Sequence, residues 1–284
     1  MIGIVDVGGG LRGVYGAGVF DTCLEEKITF DYLIGVSAGS ANVASFLAGQ
    51  RGRNLRFYTD YAFRKAYMSL GNFLRRGNYL DLDYIYGGTL SNTGGEDPLD
   101  YDAMAANPAQ AKVVATDAAT GQPVYFDFHD MARDDYGAIK ASSCVPVANR
   151  PYWWKGRPYY DGGITDPIPF QKALDAGCDR VVVILTRDKS YVKKPMNPKP
   201  IDLWYKHYPA LAEQLKNRHN VYNNALRELL NWEQQGKAWV LHPSQPIEIG
   251  RLERRSDKLQ AVYDLGTGDA EASLGSLRTY LAQG

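Results

Sequence analysis

Two glycine-rich turns constrain this chain more tightly than any other feature. Each sits between a short β-branched run and a helical stretch. Gly8-Gly9-Gly10-Leu11-Arg12-Gly13 follows the run Ile2–Val7 and precedes a helix expected from Val14 to Glu26. Gly35-Val36-Ser37-Ala38-Gly39 closes a second run, Tyr32–Val36, and opens a helix of small residues, Ala38 to Ala48. Further buried runs stand at Lys112–Thr116, Val181–Leu185 and Ala238–Leu241. Short apolar strands separated by helical segments predict βαβ units, and these make a mostly parallel sheet with helices on both faces. The expected fold class is α/β, with three layers in the order α/β/α.

Between Asn54 and Tyr86 the chain is rich in Tyr and Phe but lacks clean periodicity. It reads as helix plus loops covering one end of the sheet. The best linker is Lys193-Lys194-Pro195-Met196-Asn197-Pro198-Lys199-Pro200, whose prolines oppose regular structure. Helical patterns follow, from Asp202 to Gln235, then Arg251–Leu265 and Asp269–Leu281. In the last of these, Ala270, Leu274, Leu277 and Leu281 share one apolar face. That face needs a core to bury it, and the strand at Ala238–Leu241 leads back to the same sheet. One continuous domain is expected, with a core over 2–172 and the strand and helices of 173–284 packed on it.

Charge excludes one class of partner. The chain has 32 Lys and Arg against 32 Asp and Glu, whereas nucleic-acid binding needs clustered positive charge. A content of 45% hydrophobic and 23% charged residues belongs to a globular chain. Cys23, Cys144 and Cys178 are odd in number and far apart, so neither a disulfide framework nor a zinc pair is expected. A reducing compartment, the cytoplasm, follows. Met1–Val7 carries no basic leader and does not read as a signal peptide. No apolar run approaches the roughly 18 residues that span a bilayer. Lying on a membrane surface stays open.

A nucleophilic serine needs a strained strand-to-helix turn whose flanking glycines avoid Cβ collisions. Gly35 to Gly39 has that form, with Ser37 at a helix N-terminus where the dipole favours developing negative charge. A plain tight turn has the same spelling. Three consecutive glycines expose backbone N–H groups, as an oxyanion hole or anion nest requires. Gly8, Gly10 and Gly13 also spell G-x-G-x-x-G, the dinucleotide fingerprint of an oxidoreductase. That fingerprint wants an acid ending the next strand. Asp31 precedes Tyr32–Val36, and the serine turn occupies its end, so the dinucleotide reading loses. Asp161-Gly162-Gly163 by itself is a turn. Of the four histidines, His129, His207, His219 and His242, the last has the best topological claim to a triad. The residues alone leave the base open between Asp161 and His242.

Taken together, the three motifs resemble the patatin-like phospholipase family, whose signatures are a G-G-G-x-R-G loop, a G-x-S-x-G elbow and a downstream D-G-G/A. Ala141-Ser142-Ser143-Cys144-Val145-Pro146 looks like the family's small-residue block before the aspartate. The motif resemblance covers residues 2 to about 172. Ser244–Leu265 looks, less specifically, like the C-terminal region of bacterial members. The resemblance implies a dyad without histidine, with Ser37 as nucleophile and Asp161 as base. A carboxylate is a weak base in water, and desolvation strengthens it. The amides of Gly8, Gly9, Gly10 and Leu11 would bind the oxyanion, Gly9 and Gly10 foremost. Arg12, Gly13, Gly35, Gly39, Gly162 and Gly163 would support these groups. Cys144 reads as a small core residue. No cofactor, metal or calcium dependence is implied. The implied substrates are acyl esters of lipids: phospholipids, lysophospholipids or neutral glycerides. A lipid-binding regulatory module without turnover is the further alternative. Tyr58, Tyr61, Phe63, Tyr67, Met68 and Phe73, interleaved with Arg56, Arg64, Lys65, Arg75 and Arg76, read either as a helix packed on the core or as a lid over lipid.

Overall fold

β1 (Ile2–Asp6) and β2 (Tyr32–Val36) pair in parallel, with Asp6 opposite Gly35, and α1 (Val14–Glu25) crosses between them. The computed structural model describes residues 1–249, 253 and 255–282. After β2 come α2 (Ala38–Leu47), α3 (Arg53–Arg56), a π turn (Phe57–Tyr61), α4 (Leu70–Arg76), α5 (Leu82–Ile85) and α6 (Tyr101–Ala106). Then follow β3 (Gln110–Asp117), β4 (Pro123–Asp127), α7 (Gly137–Ser142), β5 (Tyr152–Trp154), β6 (Arg157–Asp161), α8 (Phe170–Asp175) and β7 (Arg180–Ile184). The chain ends with α9 (Pro198–Trp204), α10 (Pro209–Gln234), β8 (Ala238–Leu241) and α11 (Ser256–Ala282).

The sheet runs β5-β6-β3-β2-β1-β7-β8, with β4 paired to β3 off that path. Links β3-β2-β1-β7-β8 are parallel, while β4, β5 and β6 are antiparallel. Strand residues alternate between two cores. Ile4, Leu33, Val113 and Val182 pack on one side with Tyr15 and Phe20 of α1 and Val43 of α2. Val5, Ile34, Val114 and Val183 pack on the other with Phe170 of α8 and Leu226 and Leu229 of α10. The result is the expected α/β/α, because strands buried on both faces need helices on both.

Three expectations on helices and strands change. The helix expected over 202–235 is two, α9 and α10, parted before Pro209. The end of the proline-rich stretch is the start of α9: Pro198 stands at its first turn, where the missing N–H costs nothing, and the Asn197 side chain caps the Lys199 N–H. The two last helices are one, α11; its expected start at Arg251 lies outside the described residues. It continues through Gly266 because that glycine serves close approach. A Cβ there would overlap the Tyr15 carbonyl oxygen, and one on Gly18 would overlap that of Tyr263, so α1 and α11 meet backbone to backbone. Unforeseen are β4, β5 and β6, the last two a hairpin turned at Lys155 and Gly156, which both have positive φ.

Candidate active site

Because β1 and β2 are parallel neighbours in register, both glycine turns leave the same edge of the sheet. This is where open α/β sheets bind ligands. Ser37 is the first residue beyond β2, held at φ 56°, ψ −128°, a costly conformation for a residue with a Cβ. Three bonds maintain it. The Ser37 N–H donates to Ser142 Oγ at 2.8 Å, and its carbonyl accepts from the N–H and Oγ of Ser40 at 2.9 and 2.6 Å. α2 begins at the next residue, so Ser37 stands at the positive end of a ten-residue helix.

Gly8, Gly9 and Gly10 have φ of 60°, 126° and 63°, a path open only to glycine in practice. A Cβ on Gly8 would overlap the Val36 carbonyl oxygen, so the two turns are packed backbone against backbone. The Gly8 N–H, expected among the oxyanion donors, is engaged by Asp6 Oδ1 at 2.8 Å. Its carbonyl accepts from Thr186 Oγ1 at 2.6 Å. The Gly9 N–H has no backbone or side-chain acceptor among the described residues. Arg12 is buried and folds back so that its guanidinium lies against Gly9.

Asp161 ends β6, which pairs with β3 through Ala115. Its N–H donates to the Cys144 carbonyl at 2.8 Å, and its Oδ1 accepts the Gly163 N–H at 2.8 Å. Arg218 of α10 closes the turn from outside, Nε donating to the Gly163 carbonyl at 2.7 Å. Ser37 and Asp161 are both buried, 7% and 6% exposed. Both line one cavity of about 530 Å³, together with Gly8 to Arg12 and Gly163. Gly13, Gly35, Gly39 and Gly162 are buried behind that wall.

No histidine lines this cavity among the described residues. The Nδ1 of His242 lies 3.2 Å from the Pro243 carbonyl. Asp31, the dinucleotide candidate, accepts the Ile2 N–H at 2.7 Å, at the opposite end of β1 from the glycine loop.

The site's framework holds residues that motif reading missed. Asp6, fully buried, accepts from Gly8 and from Asn42 Nδ2 at 2.8 Å each, and Asn42 also donates to the Gly13 carbonyl at 2.9 Å. One carboxylate thus ties the first loop to the helix after the second. A lone acid in the apolar run Ile2–Val7 is the signal that was available. Burial raises the Asp6 carboxyl to about 6, against its bonds from Asn42 and Gly8. The native state therefore keeps this proton to higher pH than the unfolded chain does, and the charge costs stability as pH rises from about 4 to about 6. In urea melts over that window, wild type should lose about 3 kcal/mol relative to Asp6→Asn, about two pH units of linkage. A pH-independent difference between the two would remove Asp6 from the titration.

The sequence model of the family described as patatin-like phospholipase matches residues 7–174. The chain belongs to the patatin-like phospholipase family. That membership makes it a patatin-like chain of lipid acyl hydrolase descent. A second model, a domain of unknown function (DUF6363), matches residues 208–282, which span α10, β8 and α11. The patatin-like chain is 27% identical over 272 residues to the uncharacterized protein YjjU of Escherichia coli (strain K12), covering 93% of this chain and 74% of that one. VipD from Legionella pneumophila is a solved structure with 12% identity and a TM-score of 0.47. The match covers 96% of this chain and 66% of that one, and it is too slight to carry an argument. The patatin match ends before β7, yet Thr186 and Arg218, which brace two of the three patatin motifs, both lie beyond it. No helix among the described residues is long and apolar enough to cross a membrane.

Proposed function

We propose that this protein hydrolyses lipid acyl esters with Ser37 as nucleophile and Asp161 as base. The observation that carries the reading is the strained Ser37 opening into the same cavity as Asp161 and the glycine loop. In this reading Ser37 Oγ attacks the ester carbonyl while its proton passes to Asp161, directly or through one water. The N–H groups of Gly9 and Gly10, with Leu11 behind them, donate to the negative oxygen; losing one such donor typically costs about 10²–10³ in rate. Gly8 drops out of the donor set, because Asp6 already holds its N–H. The leaving alcohol takes the proton, and water then releases the acyl group from Ser37 by the same steps in reverse order. The test is fatty-acid release from a panel of phospholipids, lysophospholipids and glycerides by wild type and Ser37→Ala side by side.

The rest of the lining suits an acyl chain: Phe57, Tyr58, Tyr67, Met68, Leu70 and Phe73 come from the 57–73 segment. Tyr58, Tyr67 and Met68 are buried, so this segment packs in part on the core, while Leu70 and Phe73 are exposed. On α4, however, Leu70 and Leu74 are 63% and 76% exposed beside that lining. Exposed apolar side chains on a cavity rim fit peripheral contact with a lipid surface. Leu74→Glu should lower turnover on lipid vesicles several-fold relative to turnover of a soluble short-chain ester. An unchanged ratio between those two rates argues against the surface contact.

A further inference from the structure

Among the described residues, ten large apolar side chains are exposed, and eight of them stand on four segments. Three are on α4. Val147 follows α7, Val192 and Met196 lie between β7 and α9, and Leu203 and Trp204 are on α9. Two cavities tie these segments together. Leu70, Phe73 and Val147 line the catalytic cavity. Val147, Val192 and Met196 line a second one of about 530 Å³, which α9 joins through Ile201 and Tyr205. The two cavities share Val145 to Val147 and Tyr191. The exposed apolar residues therefore gather around one mouth, and a patch of that kind marks an interaction surface.

α9 is anchored from beneath. Ile201 and Tyr205 are buried, the Tyr205 hydroxyl accepts the Val147 N–H at 2.7 Å, and its ring meets that of Tyr160 edge to face at 5.8 Å. Between these anchors Leu203 and Trp204 are 69% and 57% exposed. Val147 is held at φ 72°, which a β-branched residue adopts only under constraint, yet it stands exposed at the mouth.

The charge around this face has one sign. From Val192 to Lys206 the chain holds four lysines and one acid, in a sequence that balances at 32 against 32. Lys194, Lys199 and Lys206 are exposed and pair with no carboxylate among the described residues; Asp202 of α9 and Glu213 of α10 both bind Lys216 instead. Lysines around an exposed tryptophan and leucine suit the headgroup layer of an anionic bilayer. The cations meet its negative potential, and the indole sits at headgroup level. A protein seated here would cover the cavity mouth, whereas a bilayer supplies what enters it.

We propose that α9 and the segment before it dock this protein on an anionic membrane surface, with α4 as the opposite rim of the same contact. Val192 to Lys206 lie between the family matches at 7–174 and 208–282, so the surface is a property of this chain and of neither family model. That lipid enters the mouth rests on the acyl-hydrolase reading; the docking itself does not.

The experiment is flotation of the full chain with vesicles of diether phosphatidylcholine, pure or in equal mixture with diether phosphatidylglycerol, which hold no ester to cleave. Wild type should bind the mixed vesicles more tightly, and added salt should narrow the difference. A lysine close to an anionic surface is worth about fivefold in affinity. Lys194→Gln, Lys199→Gln and Lys206→Gln together should therefore cut the preference about 10- to 100-fold. Leu203→Ser with Trp204→Ser should weaken binding to both vesicles about tenfold or more. All five positions are exposed, and thermal melts check that both variants fold. Turnover of a soluble ester should stay unchanged in both. Equal binding of the two vesicles by wild type, or a preference that the lysine variant keeps, overturns the anionic surface. Vesicle binding untouched by the Leu203 and Trp204 substitutions overturns docking through α9. A concentration-dependent dimer that those two substitutions dissolve, without vesicle binding by wild type, assigns the face to a second copy and overturns the proposal. Failure of the hydrolase reading would look different: no ester turned over, soluble ones included, with vesicle binding intact.

Discussion

Ser37→Ala should lower ester turnover by about 10⁴–10⁶-fold, the scale seen when a serine hydrolase loses its nucleophile. It should also abolish covalent labelling by a fluorophosphonate probe. The fold should survive. The bonds that hold this turn are made by the backbone N–H and carbonyl of residue 37, to Ser142 and Ser40, and alanine keeps them. Alanine is also no worse than serine at φ 56°. Mass spectrometry of the labelled protein locates the adduct, and thermal melts compare stability. Labelling that persists at full extent in Ser37→Ala would falsify the assignment.

Asp161→Asn comes second, with an expected loss of about 10²–10⁴-fold, the usual contribution of a positioned general base. The substitution suits the question because asparagine keeps an oxygen to accept the Gly163 N–H, so the D-G-G turn stays closed. It removes only the ability to take a proton. Arg218 holds the same turn from α10 and limits any relaxation. His242→Ala is the companion variant, and a change of less than about twofold is expected, since His242 does not line the cavity. Steady-state rates on one soluble ester decide between them. If His242→Ala proved the crippled variant and Asp161→Asn the active one, a histidine triad would replace the dyad.

Legibility followed physical range. β2 was readable to the residue, and β1 and α1 to within one, because a buried run flanked by glycine and a helical pattern is a local signal. β5 and β6 were missed for the opposite reason. They are three and five residues long, and Pro158 interrupts the apolar run; their pairing through Lys155 and Gly156 makes them strands. The join of α11 across Gly266 belongs with these. A glycine in a helical pattern reads as a break until the partner helix is seen pressing on it.

While the residues alone left the base open between Asp161 and His242, the order of motifs, the glycines that the turns need and the candidate serine were all set by the sequence itself. Each depends on neighbours a few positions away, where backbone sterics act. Only the folded chain decided which groups stand around them. Ser142 reaches Ser37 across 105 positions and Thr186 reaches Gly8 across 178. The withdrawal of the Gly8 N–H by Asp6 and the gathering of exposed apolar residues from α4, Val147 and α9 around one mouth are likewise invisible in one dimension. Hydrogen bonds and charges act through space over a few ångströms. Sequence separation carries no measure of that distance until β1 is placed between β2 and β7.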